Sequence, residues 1–280
     1  MIISGKARLS GVIGWPVGHS RSPRLHGWWL DHYRIDGAYV PLPVRPEDFE
    51  RVLRCLPAMG FVGANVTVPY KETALRVVDR MDAVARRIGA VNTLVIGTDG
   101  VIEGRNTDGY GFLENLRAGS PDWRPESGPA VVVGAGGASR AVCAALVDAG
   151  VPEIRLVNRS AARAEAVAAD IGGPITVMAW RERASCLAGA ALVVNTTTLG
   201  MAGAPPLDLD LADLPVAAVV SDIVYVPLHT PLLVAAAARG NPIVDGLGML
   251  LHQARPGFRA WFGIQPDVTP ELRAFVFGEP

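Results

Sequence analysis

Apolar residues along this chain follow two alternating rhythms. Short unbroken runs of small, β-branched or aliphatic residues recur, and between them apolar residues return at three- and four-residue intervals. The first rhythm predicts buried strands and the second amphipathic helices. The clearest case is Ala130-Val-Val-Val133, a strand, followed by Gly134-Ala-Gly-Gly-Ala-Ser139. Ala138, Ala141, Val142, Ala145, Leu146 and Ala149 then recur at helical spacing, and Gly150 supplies a stop. Strands are predicted at residues 9–14, 38–44 and 63–68, with a helix from Pro23, well placed as a first helical residue, to about Ile35. A second helix starts at Pro46 with Phe49, Val52, Leu53 and Leu56 on one face, and helical segments follow at 71–78 and 82–89. Residues 90–96 and 101–103 flank Thr98-Asp-Gly100, a hairpin signal. A helix over 108–116 leads into 119–129, whose Pro, Gly and Ser predict a linker. Beyond it, strands are expected at 153–157, 175–178, 191–195, 217–223 and 243–246, with helices over 161–171 and from Pro231, capped by Thr230. Leu247 begins a C-terminal helical region whose Phe258, Trp261 and Phe262 read as packing. Strand and helix alternating in this way predict an α/β protein with a doubly wound parallel sheet in the middle of the chain.

Length and composition narrow the function classes. The chain has 280 residues, room for two domains, and half of it is hydrophobic. A formal charge of −1 gives no electrostatic case for nucleic acid or an anionic membrane. Apolar runs are interrupted before they could span a bilayer, and the first residues show no secretory signal, so a cytoplasmic protein is expected. Cys55, Cys143 and Cys186 are odd in number and scattered, which suits reduced thiols. His19, His26, His32, His229 and His252 make no metal spacing, and no metal is expected.

Two groups of residues change the picture. The first is the turn Gly134, Ala135, Gly136, Gly137 and Ala138 between strand and helix, a ready-made pyrophosphate cradle. Its third fingerprint position is Ser139 rather than Gly or Ala. About 20 residues on, where an NAD-binding unit would place an acid on the ribose, stand Asn158, Arg159, Ser160 and, one helical turn later, Arg163. A polar, cationic cluster without a carboxylate suits a 2′-phosphate, hence NADP. A structural glycine turn and ordinary surface arginines are the bland alternatives. The second group lies at strand ends: Ser20, Ser22, Asn65, Thr67, Lys71, Asn92, Thr93 and Asn106-Thr-Asp108. Open α/β sheets hold ligands there, and neutral hydroxyls and amides with one Lys and one Asp suit a small polyhydroxylated ligand. Capping and turn duty is the alternative for each residue taken singly.

These residues also carry a resemblance. Gly18-His-Ser-Arg-Ser-Pro23, Asn65-Val-Thr-Val-Pro-Tyr-Lys71, Ala90-Val-Asn-Thr93, Asn106-Thr-Asp108, the glycine turn, Asn158-Arg-Ser160, Tyr225-Val-Pro-Leu-His-Thr-Pro231 and Gly246-Leu-Gly-Met-Leu250 with Gln253 resemble, in order and over nearly the whole chain, the motifs of shikimate dehydrogenases. The family more often has Ala where Thr196 stands, and Arg21 between the two serines is a variable position that bears on substrate preference. The resemblance implies NADP-linked, reversible reduction of 3-dehydroshikimate to shikimate. It implies a Rossmann-type dinucleotide domain, 108–246, inserted into a substrate domain of 1–107 plus 247–280. It also implies that Ser20 and Ser22, with Tyr225, hold the substrate carboxylate, that Asn65, Thr67, Asn92 and Gln253 bind ring oxygens, and that Lys71 and Asp108 form the catalytic pair. Thr196, Ile223, Gly246 and Met249 complete the implied cofactor set. The expected partner is a small molecule, with the protein a monomer or homodimer. A quinate/shikimate or aminoshikimate dehydrogenase, and a dinucleotide-sensing module without turnover, stay open at this point.

Overall fold

The computed structural model describes residues 2–278. In chain order the elements are β1 (Arg8–Gly14), α1 (Ser22–His32), β2 (Gly37–Pro43), α2 (Phe49–Cys55), β3 (Gly63–Val66), α3 (Lys71–Val77), β4 (Arg80–Met81), α4 (Ala83–Ile88), β5 (Thr93–Ile96) and β6 (Ile102–Arg105). Then come α5 (Asp108–Gly119), β7 (Ala130–Val133), α6 (Gly137–Ala149), β8 (Ile154–Val157), α7 (Ala161–Ile171), β9 (Ile175–Met178), β10 (Leu192–Asn195) and β11 (Val219–Asp222). The chain closes with α8 (Pro231–Ala238), β12 (Ile243–Val244), α9 (Leu247–Phe262) and α10 (Pro270–Phe277). The contacts divide it into two compact units: residues 1–107 with 250–280, and residues 108–249.

In the first unit six strands run in the order β2-β1-β3-β5-β6-β4. The first three are parallel, and β5 turns antiparallel to both β3 and β6. The hairpin signal at Thr98-Asp-Gly100 does join an antiparallel pair, with Ile96 opposite Ile102. Ile13, Phe49, Leu53, Leu56, Tyr70 and Leu94 are among the residues of the core on one face of this sheet. The other face receives α9, whose close seating requires glycine. A Cβ on Gly63 would lie 2.0 Å from Trp261 Nε1, which donates to the Leu94 carbonyl at 2.8 Å.

Two expectations shift here. Residues 90–92 were expected to begin a strand, yet β5 starts only at Thr93. The Val91 amide bonds the Lys71 carbonyl and the Asn92 amide bonds the Arg105 carbonyl, so apolar Ala90 and Val91 are spent on a buried connection. The strand expected over 63–68 stops at Val66, just before Thr67 and the turn at Pro69.

The second unit realises the doubly wound expectation. Its six strands are all parallel in the order β12-β11-β10-β7-β8-β9, so the chain starts centrally at β7 and winds outward to one side and then the other. All four residues of β7, β10 and β11 are buried, as sheets covered on both faces require. Gly150, in the left-handed conformation at φ 88°, ends α6, with its amide bonding back into the last turn. Thr230 caps α8 through the Leu233 amide, and Pro231 follows as its first residue.

Candidate active site

In the first unit the expected substrate residues meet around the ends of β1, β3 and β5. Ser20 precedes α1, and its hydroxyl accepts the Ser22 amide at 3.3 Å; Ser22 opens the helix and is buried. Asn65 lies on β3 and is 5% exposed. Its Nδ2 donates to the Asn92 carbonyl at 3.1 Å and to Thr93 Oγ1 at 3.2 Å, and its Oδ1 accepts the Tyr39 hydroxyl at 2.7 Å. Asn92 Oδ1 accepts the Thr107 amide at 2.9 Å and the Thr93 hydroxyl at 2.9 Å. Asn92 Nδ2 reaches Thr107 Oγ1 at 3.0 Å and Gln253 Oε1 at 3.3 Å. Asn65, Asn92 and Gln253 therefore belong to one connected network, most of it buried, in which satisfied groups specify each other's orientation.

Thr67 and Lys71 flank the turn after β3. The Thr67 amide bonds the Ile13 carbonyl at 2.9 Å, and its methyl fits against Gly14, where a Cβ would come within 2.5 Å. Lys71 is the first residue of α3 and half-buried. Asp108 is the first residue of α5, in the second unit, and is buried. Arg21 lies between these two serines. Its guanidinium donates to the carbonyls of Val276 and Phe277, both at 2.6 Å, and so closes the end of α10. That side chain turns to a helix whose carbonyls need donors.

In the second unit the glycine turn joins β7 to α6. Its glycines answer to different demands. Gly134 has φ 115°, its amide bonds the Val157 carbonyl at 2.8 Å, and a Cβ there would lie 2.6 Å from Thr196 Oγ1. Around Gly136 and Gly137, by contrast, no heavy atom lies within 4 Å of where a Cβ would stand. The fold itself leaves that space open, and the amides at the start of α6 face it as the N-terminus of a helix does. A pyrophosphate fits such a cradle. Ser139, the departure from the fingerprint, is fully buried and donates to the Gly134 carbonyl at 2.6 Å, which ties the helix back onto the turn. Asn158 Nδ2 bonds the Ser160 carbonyl at 2.9 Å, and Arg159, Ser160 and Arg163 are exposed beyond the end of β8.

Thr196, where the resemblance calls for Ala, satisfies its hydroxyl internally by donating to the Val133 carbonyl at 2.7 Å. Ile223 follows β11, and Gly246 packs against it so closely that a Cβ would be 2.2 Å from the Ile223 carbonyl oxygen. Gly248 is equally constrained, against Asn115 Oδ1. Met249 is buried, and Tyr225 is half-buried in the loop after β11.

Two residues escaped the sequence reading. Tyr39 sits in the apolar-looking β2 and is buried. Asp222 ends β11 and is 1% exposed; it accepts from Asn195 Nδ2 at 3.0 Å, the Val224 amide at 3.0 Å and the Thr230 hydroxyl at 2.7 Å. Burial pushes its carboxyl above the ordinary range, and these three partners pull against that. Asp222 thereby fastens the Thr196 loop, the loop carrying Ile223 and Tyr225, and the start of α8 to one point. A carboxylate at the end of an otherwise apolar strand was the available signal.

Among the described residues no group of three or more His, Cys, Asp or Glu side chains could hold a metal ion, and no helix is long and apolar enough to cross a membrane. Comparison with known proteins agrees along the whole chain. Residues 12–94 match the family described as shikimate dehydrogenase substrate binding domain, 124–200 that described as shikimate / quinate 5-dehydrogenase, and 246–270 the shikimate 5'-dehydrogenase C-terminal domain. A shikimate dehydrogenase (NADP(+)) of Paramagnetospirillum magneticum is 70% identical over 98% of this chain and 99% of its own. Among solved structures, shikimate 5-dehydrogenase of Thermus thermophilus in complex with NADP(H) and shikimate is 37% identical with a TM-score of 0.85, covering 96% of this chain and 98% of that one. Quinate dehydrogenase of Corynebacterium glutamicum in complex with NAD is 33% identical with a TM-score of 0.89 over the same shares.

Proposed function

Because the chain belongs to the shikimate dehydrogenase family, we propose that it catalyses the reversible, NADP-linked reduction of 3-dehydroshikimate to shikimate, a step toward aromatic amino acids. One coincidence carries the reading. A buried network of amides and hydroxyls stands in the first unit, and in the second an open glycine cradle precedes an acid-free, cationic strand end. Residues 1–107 and 250–280 form the substrate unit and 108–249 the cofactor unit. The partner is a small molecule, and the chain works as a monomer or homodimer.

Gly134 to Ala138 hold the pyrophosphate, and Asn158, Arg159, Ser160 and Arg163 hold the 2′-phosphate. Thr196, Ile223, Gly246 and Met249 line the remainder of the cofactor site. Bound NADPH supplies the hydride, which is the cofactor's chemistry rather than the protein's. Ser20 and Ser22, with Tyr225, bind the carboxylate; Asn65, Thr67, Asn92 and Gln253 bind ring oxygens. Reduction of a ketone builds negative charge on its oxygen. Lys71 places a compact cation there and gives up a proton from Nζ as that oxygen becomes a hydroxyl. Asp108 orients the ammonium and helps it recover its proton. In the reverse direction Lys71 takes the hydroxyl proton.

The test is a set of initial rates with shikimate and with quinate, each with NADP and with NAD. Shikimate with NADP should dominate. Comparable turnover of quinate with NAD would replace this reading with a quinate/shikimate dehydrogenase, and no turnover of any pair would leave a dinucleotide-sensing module.

A further inference from the structure

We propose that Tyr39 is a positioning residue of the substrate site, whose buried hydroxyl holds Asn65 and sets which of its atoms faces a ligand. The inference rests on the substrate reading above and goes beyond it in assigning a residue and a direction to each hydrogen bond.

The directions follow from chemistry. The Asn92 carbonyl oxygen can only accept, so the Asn65 atom facing it at 3.1 Å is the amide nitrogen. Asn65 Oδ1 therefore faces Tyr39, and the phenol must donate to it across 2.7 Å. The phenol has one proton, now spent. What its oxygen offers to any further group is acceptance. One ordered chain results: Tyr39 to Asn65, Asn65 to Thr93, Thr93 to Asn92. Burial keeps the Tyr39 phenol protonated well above its usual range, so this order holds at every working pH.

The ring cannot drift. His26 stacks on it at 3.9 Å with 4° between the planes, and the Trp261 ring centre lies 6.1 Å away. The hydroxyl is thus placed by an aromatic wall rather than by the ligand.

One consequence bears on specificity. Both hydrogens of Asn65 Nδ2 are taken within the protein, so toward a ligand Asn65 offers only the second lone pair of Oδ1. The ligand group facing it must then be a hydroxyl and not a carbonyl.

The experiment compares wild type, Tyr39→Phe, Asn65→Ala and the double variant, reading KM for shikimate, KM for NADP, kcat and the melting temperature. Tyr39→Phe removes only the hydroxyl. It should raise KM for shikimate about tenfold, as loss of one or two hydrogen bonds predicts, with kcat within about threefold and KM for NADP unchanged. In the double variant the two increases in KM should fall short of multiplying, because Tyr39 acts through Asn65. A KM for shikimate within twofold of wild type in Tyr39→Phe would overturn the role. So would a rise in both KM values together with a lowered melting temperature, which is what loss of packing alone produces. Failure of the wild type to turn over shikimate would instead sink the proposed reaction and this inference with it.

Discussion

His26 lies fully buried on α1 beneath Tyr39, walled by Trp29, Phe258 and Trp261 as well. Neither ring nitrogen has a hydrogen-bond partner. Burial without a partner penalises the imidazolium, and the pKa falls from 6.5 to about 3. Between these two values the unfolded chain binds a proton that the native protein refuses. Stability from this group is therefore complete above pH 6.5 and is lost as the pH falls toward 3. At about 1.4 kcal/mol per pH unit, the loss is about 3 kcal/mol at pH 4 and on the order of 5 kcal/mol by pH 3. His26→Phe keeps an aromatic ring of similar size and deletes the titration. Urea unfolding of both proteins between pH 7.5 and 4 reads the difference directly. Near pH 7.5 the variant should equal or exceed wild type, since buried polar atoms without partners cost about 1–3 kcal/mol. On acidification it should gain on wild type by the amounts above. A difference that stays flat with pH would refute the reasoning, for it would mean that the native imidazole takes up its proton as readily as the unfolded chain does.

Three further outcomes are expected. Lys71→Ala should lower kcat about 100-fold or more with a smaller change in KM for shikimate; a kcat within a few-fold of wild type across pH would remove Lys71 from the chemistry. Arg159→Ala should raise KM for NADP by roughly ten- to a hundredfold at low salt and leave KM for NAD nearly unchanged, because hydrogen bonds to a charged phosphate contribute about 1.5–3 kcal/mol. The effect should shrink at high salt, as Arg159 is exposed. Gly246→Ala drives a Cβ into the backbone of Ile223 and Val224. It should destabilise by about 1–3 kcal/mol or more and raise KM for NADP with it, read by thermal melts and cofactor titration.

What the sequence made legible divides along physical lines. β7, α6 and the Gly150 stop were readable because periodicity, helix propensity and a left-handed cap point the same way. The end of a strand was readable where a polar residue breaks an apolar run, as at Asn195. β4, two residues long, carries no pattern at all. Residues 90–92 misled because burial, not pairing, accounts for their apolar character. α10 carries at Thr269-Pro270 the same cap-and-proline pair as Thr230-Pro231, a signal the sequence reading passed over. Tyr39 stayed hidden for the opposite reason: in a run of strand-forming residues an aromatic ring counts as core, and only the partner of its hydroxyl distinguishes the two uses. Arg21 depends on partners 255 residues and more along the chain, which no local spacing reports, whereas Asp222 showed only as a carboxylate closing an apolar strand.

The glycine turn between β7 and α6 separates two kinds of selection within four residues. Gly134 is held by its own chain, through a left-handed backbone and the Thr196 hydroxyl at its shoulder. Gly136 and Gly137 are ordinary in conformation and face empty space, so alanine there costs the native fold nothing it can feel. A screen that scores protein abundance would mark the first position intolerant and the other two permissive, whereas a screen that scores growth without the reaction product supplied would mark all three intolerant. Where the two maps disagree, they outline the footprint of the cofactor on a surface that the protein keeps clear for it.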